Sequence, residues 1–156
     1  MAFEPDIVVT GPEPSEIALV VEVKTSSRSI DESERQLKKY MAAVGSPVGL
    51  LVTPDLLWIY RDQYLPSPEH SIIRVGEFEA KGLFRFERSN FERSNKVTAD
   101  TLSFERQVQS WLETLSTESG LRELAPDLRR AVQMYLVPAL LQGAVRCGHP
   151  RSPTSV

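Results

Sequence analysis

Residues 5–24, Pro-Asp-Ile-Val-Val-Thr-Gly-Pro-Glu-Pro-Ser-Glu-Ile-Ala-Leu-Val-Val-Glu-Val-Lys, hold the strongest local folding signal in this chain. Two runs rich in β-branched and aliphatic residues, 6–10 and 17–24, flank a segment dominated by Gly and Pro at 11–16. This pattern is typical of two strands joined by a tight turn. The stretch therefore predicts a β-hairpin.

Three charged residues stand inside these apolar strands: Asp6, Glu22 and Lys24. Burying a charge costs several kcal/mol unless it is paired or binds a metal, so their placement needs a reason. A symmetric turn centred near Pro14 predicts three cross-strand pairs: Thr10 with Ala18, Val8 with Val20, and Asp6 with Glu22. Because side chains alternate along a strand, Asp6, Glu22 and Lys24 then share one face.

The other face of the hairpin is predicted to join the core. Its residues are all aliphatic: Ile7, Val9, Leu19, Val21 and Val23. A one-residue bulge in the turn would break this alternation, so the shared face of the charged residues depends on the register.

Paired carboxylates next to a lysine indicate phosphodiester chemistry. Two carboxylates about 5 Å apart on opposed strands can both bind a hard cation such as Mg²⁺ or Mn²⁺. The backbone carbonyl of Val23, between Glu22 and Lys24, can add a third ligand. Lys24 can orient or help to deprotonate a water and offset negative charge in the transition state. The hairpin therefore predicts a hydrolytic metal site formed by Asp6, Glu22, Val23 and Lys24.

An acid-any-lysine triplet is weak evidence by itself, because such triplets arise by chance. A second one, Glu79-Ala80-Lys81, occurs where no hydrophobic strand pattern surrounds it. It serves as an internal control, and the hairpin context is what favours Glu22-Val23-Lys24.

The segment after the hairpin predicts a helix and further strands. A polar start at 29–34 precedes apolar residues at helical spacing, and Gly45-Ser46-Pro47 ends the pattern. These apolar positions are Ile30, Leu37, Met41 and Val44. Residues 48–53 and 57–60 are predicted strands, and 71–75 a predicted edge strand.

The C-terminal third is predicted to be helical. One amphipathic helix carries Phe104, Val108, Trp111, Leu112 and Leu115, and a second carries Leu121, Leu124, Leu128, Val132 and Tyr135. Pro126 and Pro138 are expected to divide or kink the second helix. We therefore predict an α/β core at 1–98, a helical extension of the same domain at 99–147, and a disordered tail at 148–156.

Composition limits the class of protein. The chain has 156 residues, of which 41% are hydrophobic and 25% charged, which indicates one globular domain. Its longest apolar run, 17–21, is far shorter than the ~20 residues of a membrane span. The start lacks a secretory signal pattern, and a single cysteine agrees with a reducing compartment. We therefore expect a cytoplasmic protein with no membrane partner.

Charge and metal-binding residues narrow the partners. A net charge of −3 gives no overall attraction to nucleic acid, so any such binding must be local. Two histidines exclude a histidine-rich zinc site. Residues 81–96 combine basic side chains with phenylalanines and contain a tandem Phe-Glu-Arg-Ser-Asn repeat at 86–95. They fit either a nucleic-acid contact or a charged hairpin in a loop lengthened by duplication.

The hairpin, the helix bearing Gln36-Leu37-Lys38-Lys39-Tyr40 and the next two strands together resemble the PD-(D/E)XK nuclease superfamily. The likeness is nearest to the N-terminal nuclease domain of type I restriction enzyme motor subunits. It covers roughly residues 5–62, and it implies a restriction endonuclease-like α/β core, a central mixed sheet with flanking helices.

The resemblance also implies roles. Asp6 and Glu22 would bind the metal, Lys24 would be the catalytic lysine, and Gln36, with Tyr40 four residues on, would position phosphate or the lysine. Members of the superfamily usually have a helix and a further acid before the first of these strands. Only five residues precede Asp6 here, so that acid is missing unless Glu4 substitutes for it.

Two hypotheses of different classes follow. The first is a Mg²⁺- or Mn²⁺-dependent nuclease acting on DNA rather than RNA, alone, as a homodimer or within a larger restriction or repair complex. The second is a catalytically inactive relic of the same fold that binds nucleic acid or protein. A helical partner-binding protein working through 103–145 is a weaker third hypothesis, because it leaves the hairpin charges unexplained.

Overall fold

The computed structural model describes residues 5–13, 15–26, 28–84 and 97–147. The strands are β1 (Ile7–Thr10), β2 (Ile17–Val23), β3 (Val48–Val52), β4 (Leu56–Asp62), β5 (Ile72–Glu79) and β6 (Val145–Cys147). The helices are α1 (Ile30–Val44), α2 (Pro68–Ser71), α3 (Val97–Thr114), α4 (Glu118–Arg122), α5 (Pro126–Ala131) and α6 (Val137–Leu140), with a π-helical turn at Val132–Leu136. Several predicted features lie outside the described residues: Glu4, Pro14, the repeat at 86–95 and the tail at 148–156.

The strands of the described residues form one mixed sheet in the order β5-β4-β3-β2-β1-β6. β2 and β3 are parallel and are joined through α1, whereas every other neighbouring pair is antiparallel. Helices flank the sheet. This arrangement confirms the predicted α/β class and is consistent with a restriction endonuclease-like core.

Each face of the sheet packs against different helices. One face carries the larger core, in which strand residues such as Ile7, Leu19 and Val21 meet Phe104, Val108 and other residues of the C-terminal helices. The predicted core face of the hairpin is therefore confirmed. The opposite face packs against α1 through Val20, Leu51 and Trp58.

Helix α1 matches its predicted bounds closely. Leu37 and Met41 are fully buried, and the partly buried Ile30 and Val44 continue the same stripe. Gly45 ends the helix in a left-handed conformation, φ 72°, with its N–H bonded to the carbonyl of Met41. The helix lies so close to β3 that a Cβ at Gly49 would overlap the sulfur of Met41. Glycine at 49 therefore sets how near α1 comes to the sheet.

The hairpin register differs from the prediction at one end only. Val8 pairs with Val20 as predicted. Thr10 pairs with Ile17 and not with Ala18, because the register shifts between Val9 and Thr10. The irregularity lies on the turn side, so the alternation at the far end of the strands, where the charged residues stand, is preserved.

The C-terminal third combines a confirmed helix with a broken one. In α3 the predicted stripe is buried at Phe104, Val108 and Leu112, and Leu115, directly after the helix, is buried too. The second predicted helix is divided into α4, α5, the π-helical turn and α6. Pro126 opens α5, where a missing N–H costs nothing. Pro138 comes directly after the π-helical turn, in the first positions of α6. Its ring and missing N–H are incompatible with normal α-helical hydrogen bonds to the preceding turn.

Two features of the sheet edges were not expected from the sequence. Strand β6 pairs with β1 and extends the sheet, within a segment predicted to be helical throughout. Strand β5 is an edge strand of the described sheet, as predicted, but continues to Glu79. The control triplet at 79–81 was therefore wrongly placed outside a strand. In the described part of the chain, no helix is long and apolar enough to cross a membrane.

Candidate active site

The free end of the β1–β2 hairpin brings Asp6 and Glu22 together. Ile7 pairs with Val21, and the side chains of the residues that follow along the two strands, Asp6 and Glu22, interact. The N–H of Asp6 donates to the carbonyl of Val21 at 3.1 Å, and the N–H of Val23 donates to Asp6 Oδ2 at 2.8 Å. The β2 backbone thereby holds both the backbone and the side chain of Asp6.

Glu22 lies in the sheet face that packs on α1, and only 4% of it is exposed. Burial raises its pKa most, and the neighbouring Asp6 adds to this by accepting a hydrogen bond and by charge repulsion, so that the pKa of Glu22 is about 9. The two carboxyl groups are close enough to share a proton. The burial of Glu22 excludes a solvated cross-strand ion pair as the explanation for this residue.

Lys24 stands two residues beyond Glu22 and is half-buried. Its N–H donates to the carbonyl of Val52 at 2.9 Å, which ties the segment after β2 to the end of β3. The charge of Lys24 lowers the pKa of Glu22, opposing the effect of Asp6. The structure therefore brings two carboxyl groups and one ammonium group together at one end of the sheet.

Thr53 stabilises this end of the sheet, a role that the sequence analysis did not predict. It is 1% exposed, its Oγ1 donates to the carbonyl of Leu56 at 3.2 Å, and it accepts from the N–H of Leu56 at 3.0 Å. These bonds close the β3–β4 turn directly after Val52, the residue that binds the Lys24 backbone. The Thr-Pro-Asp sequence at 53–55 is a turn signal that could have revealed it.

Gln36 and Tyr40 occupy one side of α1. At 3.6 residues per turn, both lie on one side of the buried Leu37 stripe, whereas Glu34 and Lys38 lie on the other. Gln36 is half-buried, and its Nε2 donates to Glu32 Oε1 at 3.3 Å. Among the residues that the structure describes, the side chain of Gln36 forms a hydrogen bond within its own helix and none with Asp6 or Glu22.

A second polar group, the Glu34 cluster, lies on the opposite side of α1 and was not predicted. It consists of Glu34, Lys38, Tyr60 and Arg74. The Tyr60 hydroxyl donates to Glu34 Oε2 at 2.6 Å, and Arg74 donates to the same oxygen from Nε at 2.8 Å and from Nη2. Lys38 Nζ lies 3.6 Å from Glu34 Oε1 and 5.9 Å from the centre of the Tyr60 ring.

The control triplet lacks the features of the hairpin. Glu79 and Lys81 are both exposed, and the residue opposite Glu79 on β4 is Leu56. Across the strand there is therefore no second carboxylate. An open groove of about 780 Å³ lies elsewhere, lined by residues of α3 such as Arg106 and Trp111, and it contains none of the predicted site residues.

The donor set at the hairpin fits a hard divalent cation. Asp6 and Glu22 present carboxylate oxygens, the ligands that Mg²⁺ and Mn²⁺ prefer, and a Mg²⁺ site commonly uses one or two carboxylates and keeps several waters. Two adjacent carboxyl groups that raise a pKa by mutual repulsion are stabilised when a cation replaces the shared proton. Nowhere in the described residues do three or more His, Cys, Asp or Glu side chains lie close enough together to bind one metal ion. A cation here would need water, backbone or phosphate oxygens as further ligands.

Comparison with known proteins identifies a family for the N-terminal part of the chain. No curated protein matches the chain, and no solved structure does. Residues 1–56 match the family model of the PD-(D/E)XK nuclease superfamily, and this segment contains both strands of the hairpin, α1 and β3. The recognition of the PD-(D/E)XK nuclease superfamily in residues 1–56 is thereby confirmed.

Proposed function

We propose that this protein is a divalent-cation-dependent nuclease that hydrolyses phosphodiester bonds in DNA. The observation that carries the proposal is the pairing of Asp6 with the buried Glu22, with Lys24 beside them. The match of residues 1–56 to a nuclease superfamily supports the reaction class. DNA, in preference to RNA, follows only from the resemblance to restriction enzymes.

In this proposal Asp6, Glu22 and the carbonyl of Val23 hold Mg²⁺ or Mn²⁺. A bound cation would polarise the scissile phosphate and make a bound water more acidic. Glu22 must lose its proton to act as a ligand, so we expect cation binding to release protons. The N–H of Val23 keeps Asp6 aimed at the site whether or not Glu22 is ionised.

Lys24 and Gln36 act on the reacting groups. The Lys24 ammonium donates hydrogen bonds to the attacking water or to a phosphate oxygen, and it offsets the negative charge that develops on the phosphate. Gln36, from the first half of α1, orients the phosphate after exchanging its bond with Glu32 for one with the substrate. Tyr40 lies one turn further along the same side of the helix.

Nicking of supercoiled plasmid with Mg²⁺ or Mn²⁺ tests the proposal. The variants are Lys24→Ala and the matched control Lys81→Ala, which removes the lysine of the second triplet. We expect wild type and Lys81→Ala to cleave equally and Lys24→Ala to lose about 10²–10³-fold in rate, the cost of removing a charge-stabilising donor. Equal cleavage by Lys24→Ala would overturn the role of this lysine.

A titration with Mn²⁺ separates the nuclease from an inactive relic. A nuclease should bind Mn²⁺ with measurable heat and cleave, and Asp6→Asn should abolish both. A folded wild type that neither binds Mn²⁺ nor cleaves DNA or RNA would favour the relic, which binds nucleic acid or protein without catalysis. Running DNA and RNA strands of one sequence in parallel decides the substrate.

A further inference from the structure

The Glu34 cluster connects three elements that are distant in sequence. Glu34 is on α1, Tyr60 on β4 and Arg74 on β5, so its hydrogen bonds span 26 and 40 residues. Tyr60 is fully buried, and the side chain of Glu34 is 19% exposed. Charge-assisted bonds to a partly buried carboxylate are stronger and more directional than an exposed ion pair. The cluster therefore attaches one side of α1 firmly to the sheet.

The opposite side of the helix faces the candidate active site. The sheet order is β5-β4-β3-β2-β1, and α1 packs over β2 and β3. Because Glu34 faces β4 and β5, the side that carries Gln36 is turned toward β2 and β1, the strands of Glu22 and Asp6. Helix α1 begins six residues after Lys24, so its first turns lie at the same end of the sheet as these residues.

The contacts of α1 with the sheet are mainly apolar, and such contacts are less directional than hydrogen bonds. Its buried stripe contacts the sheet through Leu37 and Met41, and Met is unbranched and adaptable. The residue before the helix, Ser29, is left-handed at φ 59° and makes no side-chain capping bond. Apolar packing holds the helix on the sheet, and the directional bonds of Glu34 add a restraint on its rotation about its own axis.

A small rotation would matter for Gln36. Side-chain ends on a helix lie about 5–6 Å from the axis, so a rotation of about 10° displaces them by about 1 Å. A misplacement of about 1 Å can cost a catalysed reaction about 10²-fold. The side of the helix opposite Gln36 is thus a place where a hydrogen bond can control catalytic geometry.

We propose that the Glu34 cluster is a positioning device for catalysis: Glu34, Tyr60 and Arg74 fix the rotation of α1 and thereby place Gln36 against the scissile phosphate. Glu34, Tyr60 and Arg74 do not touch the substrate or the cation. The inference rests on the proposed nuclease function, and it adds three positioning residues that the superfamily motif does not contain.

Steady-state cleavage of a duplex oligonucleotide by Tyr60→Phe, which keeps the ring and removes the hydroxyl, tests the device. We expect kcat to fall about 10-fold while KM and Mn²⁺ affinity stay unchanged, because the substrate and cation ligands are intact. Arg74→Gln should behave alike, and Arg74→Lys, which retains the charge, should recover part of kcat. Arg122→Gln is the matched control, since Arg122 pairs with Glu118 at an exposed site away from α1.

A double-mutant cycle with Gln36→Ala identifies the route of the effect. If Tyr60 acts through Gln36, then Tyr60→Phe causes no further loss of kcat in the Gln36→Ala background. If the fold-loss in kcat of the double variant equals the product of the two single losses, the two residues act independently. That result would overturn the inference without affecting the proposed nuclease function. A fall in Mn²⁺ affinity in Tyr60→Phe would overturn it as well, because it would indicate general damage to the site.

Hydrogen–deuterium exchange provides a readout that needs no cleavage. In Tyr60→Phe, we expect faster amide exchange in α1 with no change in β1 and β2. Unchanged exchange in α1 would overturn the device even if the wild type is inactive. Absence of cleavage by a folded wild type would instead overturn the proposed function, so the two failures are distinguishable.

Discussion

Glu22 and Glu34 are two glutamates on the same side of one sheet, and their surroundings shift their pKa values in opposite directions. Burial raises the pKa of Glu22, and its carboxyl neighbour Asp6 raises it further. Burial also acts to raise the pKa of Glu34, but hydrogen bonds from Tyr60 and Arg74 and the charge of Lys38 outweigh burial and lower it. One carboxyl faces another acid, and the other faces three donors.

The difference distinguishes the proposed cation site from a carboxylate that protein groups already neutralise. In the proposed function, the Asp6–Glu22 pair would gain stability from an added cation, because a cation relieves the repulsion between two adjacent carboxylates. The Glu34 cluster is neutralised by protein groups and needs nothing further. A buried carboxylate therefore indicates a binding site only when its neighbours leave its charge uncompensated.

The largest expected effect concerns cation affinity. Glu22→Gln should weaken Mn²⁺ binding by more than about 100-fold, because loss of even an outer partner of a metal ligand costs 10–100-fold. Glu34→Gln should leave the affinity within about 2-fold of wild type, since Glu34 lies outside the donor set. Calorimetric titration of both variants measures the contrast. Equal losses in the two variants would erase the distinction between the two glutamates.

The next effect concerns folding stability. Glu34→Ala should lower the free energy of unfolding by about 2 kcal/mol, because it leaves the buried Tyr60 hydroxyl without its acceptor. Glu32→Ala on the same helix removes an exposed pair with Arg35 and an exposed hydrogen bond from Gln36, and should cost less than about 1 kcal/mol. Urea unfolding measures both. Matching losses would show that the cluster behaves as an ordinary surface ion pair.

An effect of opposite sign is expected at Glu22. In protein freed of metal by a chelator, Glu22→Gln should raise the free energy of unfolding by about 1 kcal/mol, because the Glu22 carboxyl must take up a proton on folding at pH 7, whereas the amide is neutral in both states. Thermal and urea unfolding at pH 7 measure the gain. A destabilised Glu22→Gln would indicate that the acidic pair has a structural role without metal.

The smallest effect is a pH dependence. The pKa of Glu34 is lower in the folded protein than its ordinary value of 4.5, so its contribution to stability is present above pH 4.5 and is lost as the pH falls through the folded value. The stability difference between wild type and Glu34→Gln should therefore shrink as the pH falls below 4.5. Unfolding curves from pH 3 to 7 test this prediction. A difference that does not change with pH would place the effect outside the ionisation of Glu34.

Local patterns in the sequence predicted the hairpin, α1 and strands β3 and β4. Alternation in the hairpin predicted that Asp6 and Glu22 share one face, and their side chains do interact, because the irregularity in the register lies near Thr10, at the other end. Strand β6 was not predicted, because three residues, Val145–Cys147, have no periodicity of their own. It is a strand only because the free edge of β1 supplies hydrogen-bond partners.

The Glu34 cluster could not be predicted from the sequence either. Glu34 reads as one acid among several charged residues on a helix, Tyr60 as a strand residue, and Arg74 as an ordinary exposed charge. Their contact depends on α1 crossing the sheet at one height and rotation, which close approach at Gly49 permits. No spacing rule connects residues 26 and 40 positions apart.

By itself, the sequence determined the elements whose signals are local: alternation in the strands, helical spacing in α1 and α3, and the acidic and basic residues of the motif. Backbone sterics and the period of each element act within a few residues, so they can be deduced without the fold. Only the tertiary structure decided the pKa of Glu22, the partners of Glu34 and the pairing of β6. Burial and long-range charge depend on what the rest of the chain places nearby, and that is a property of the folded sheet and its helices.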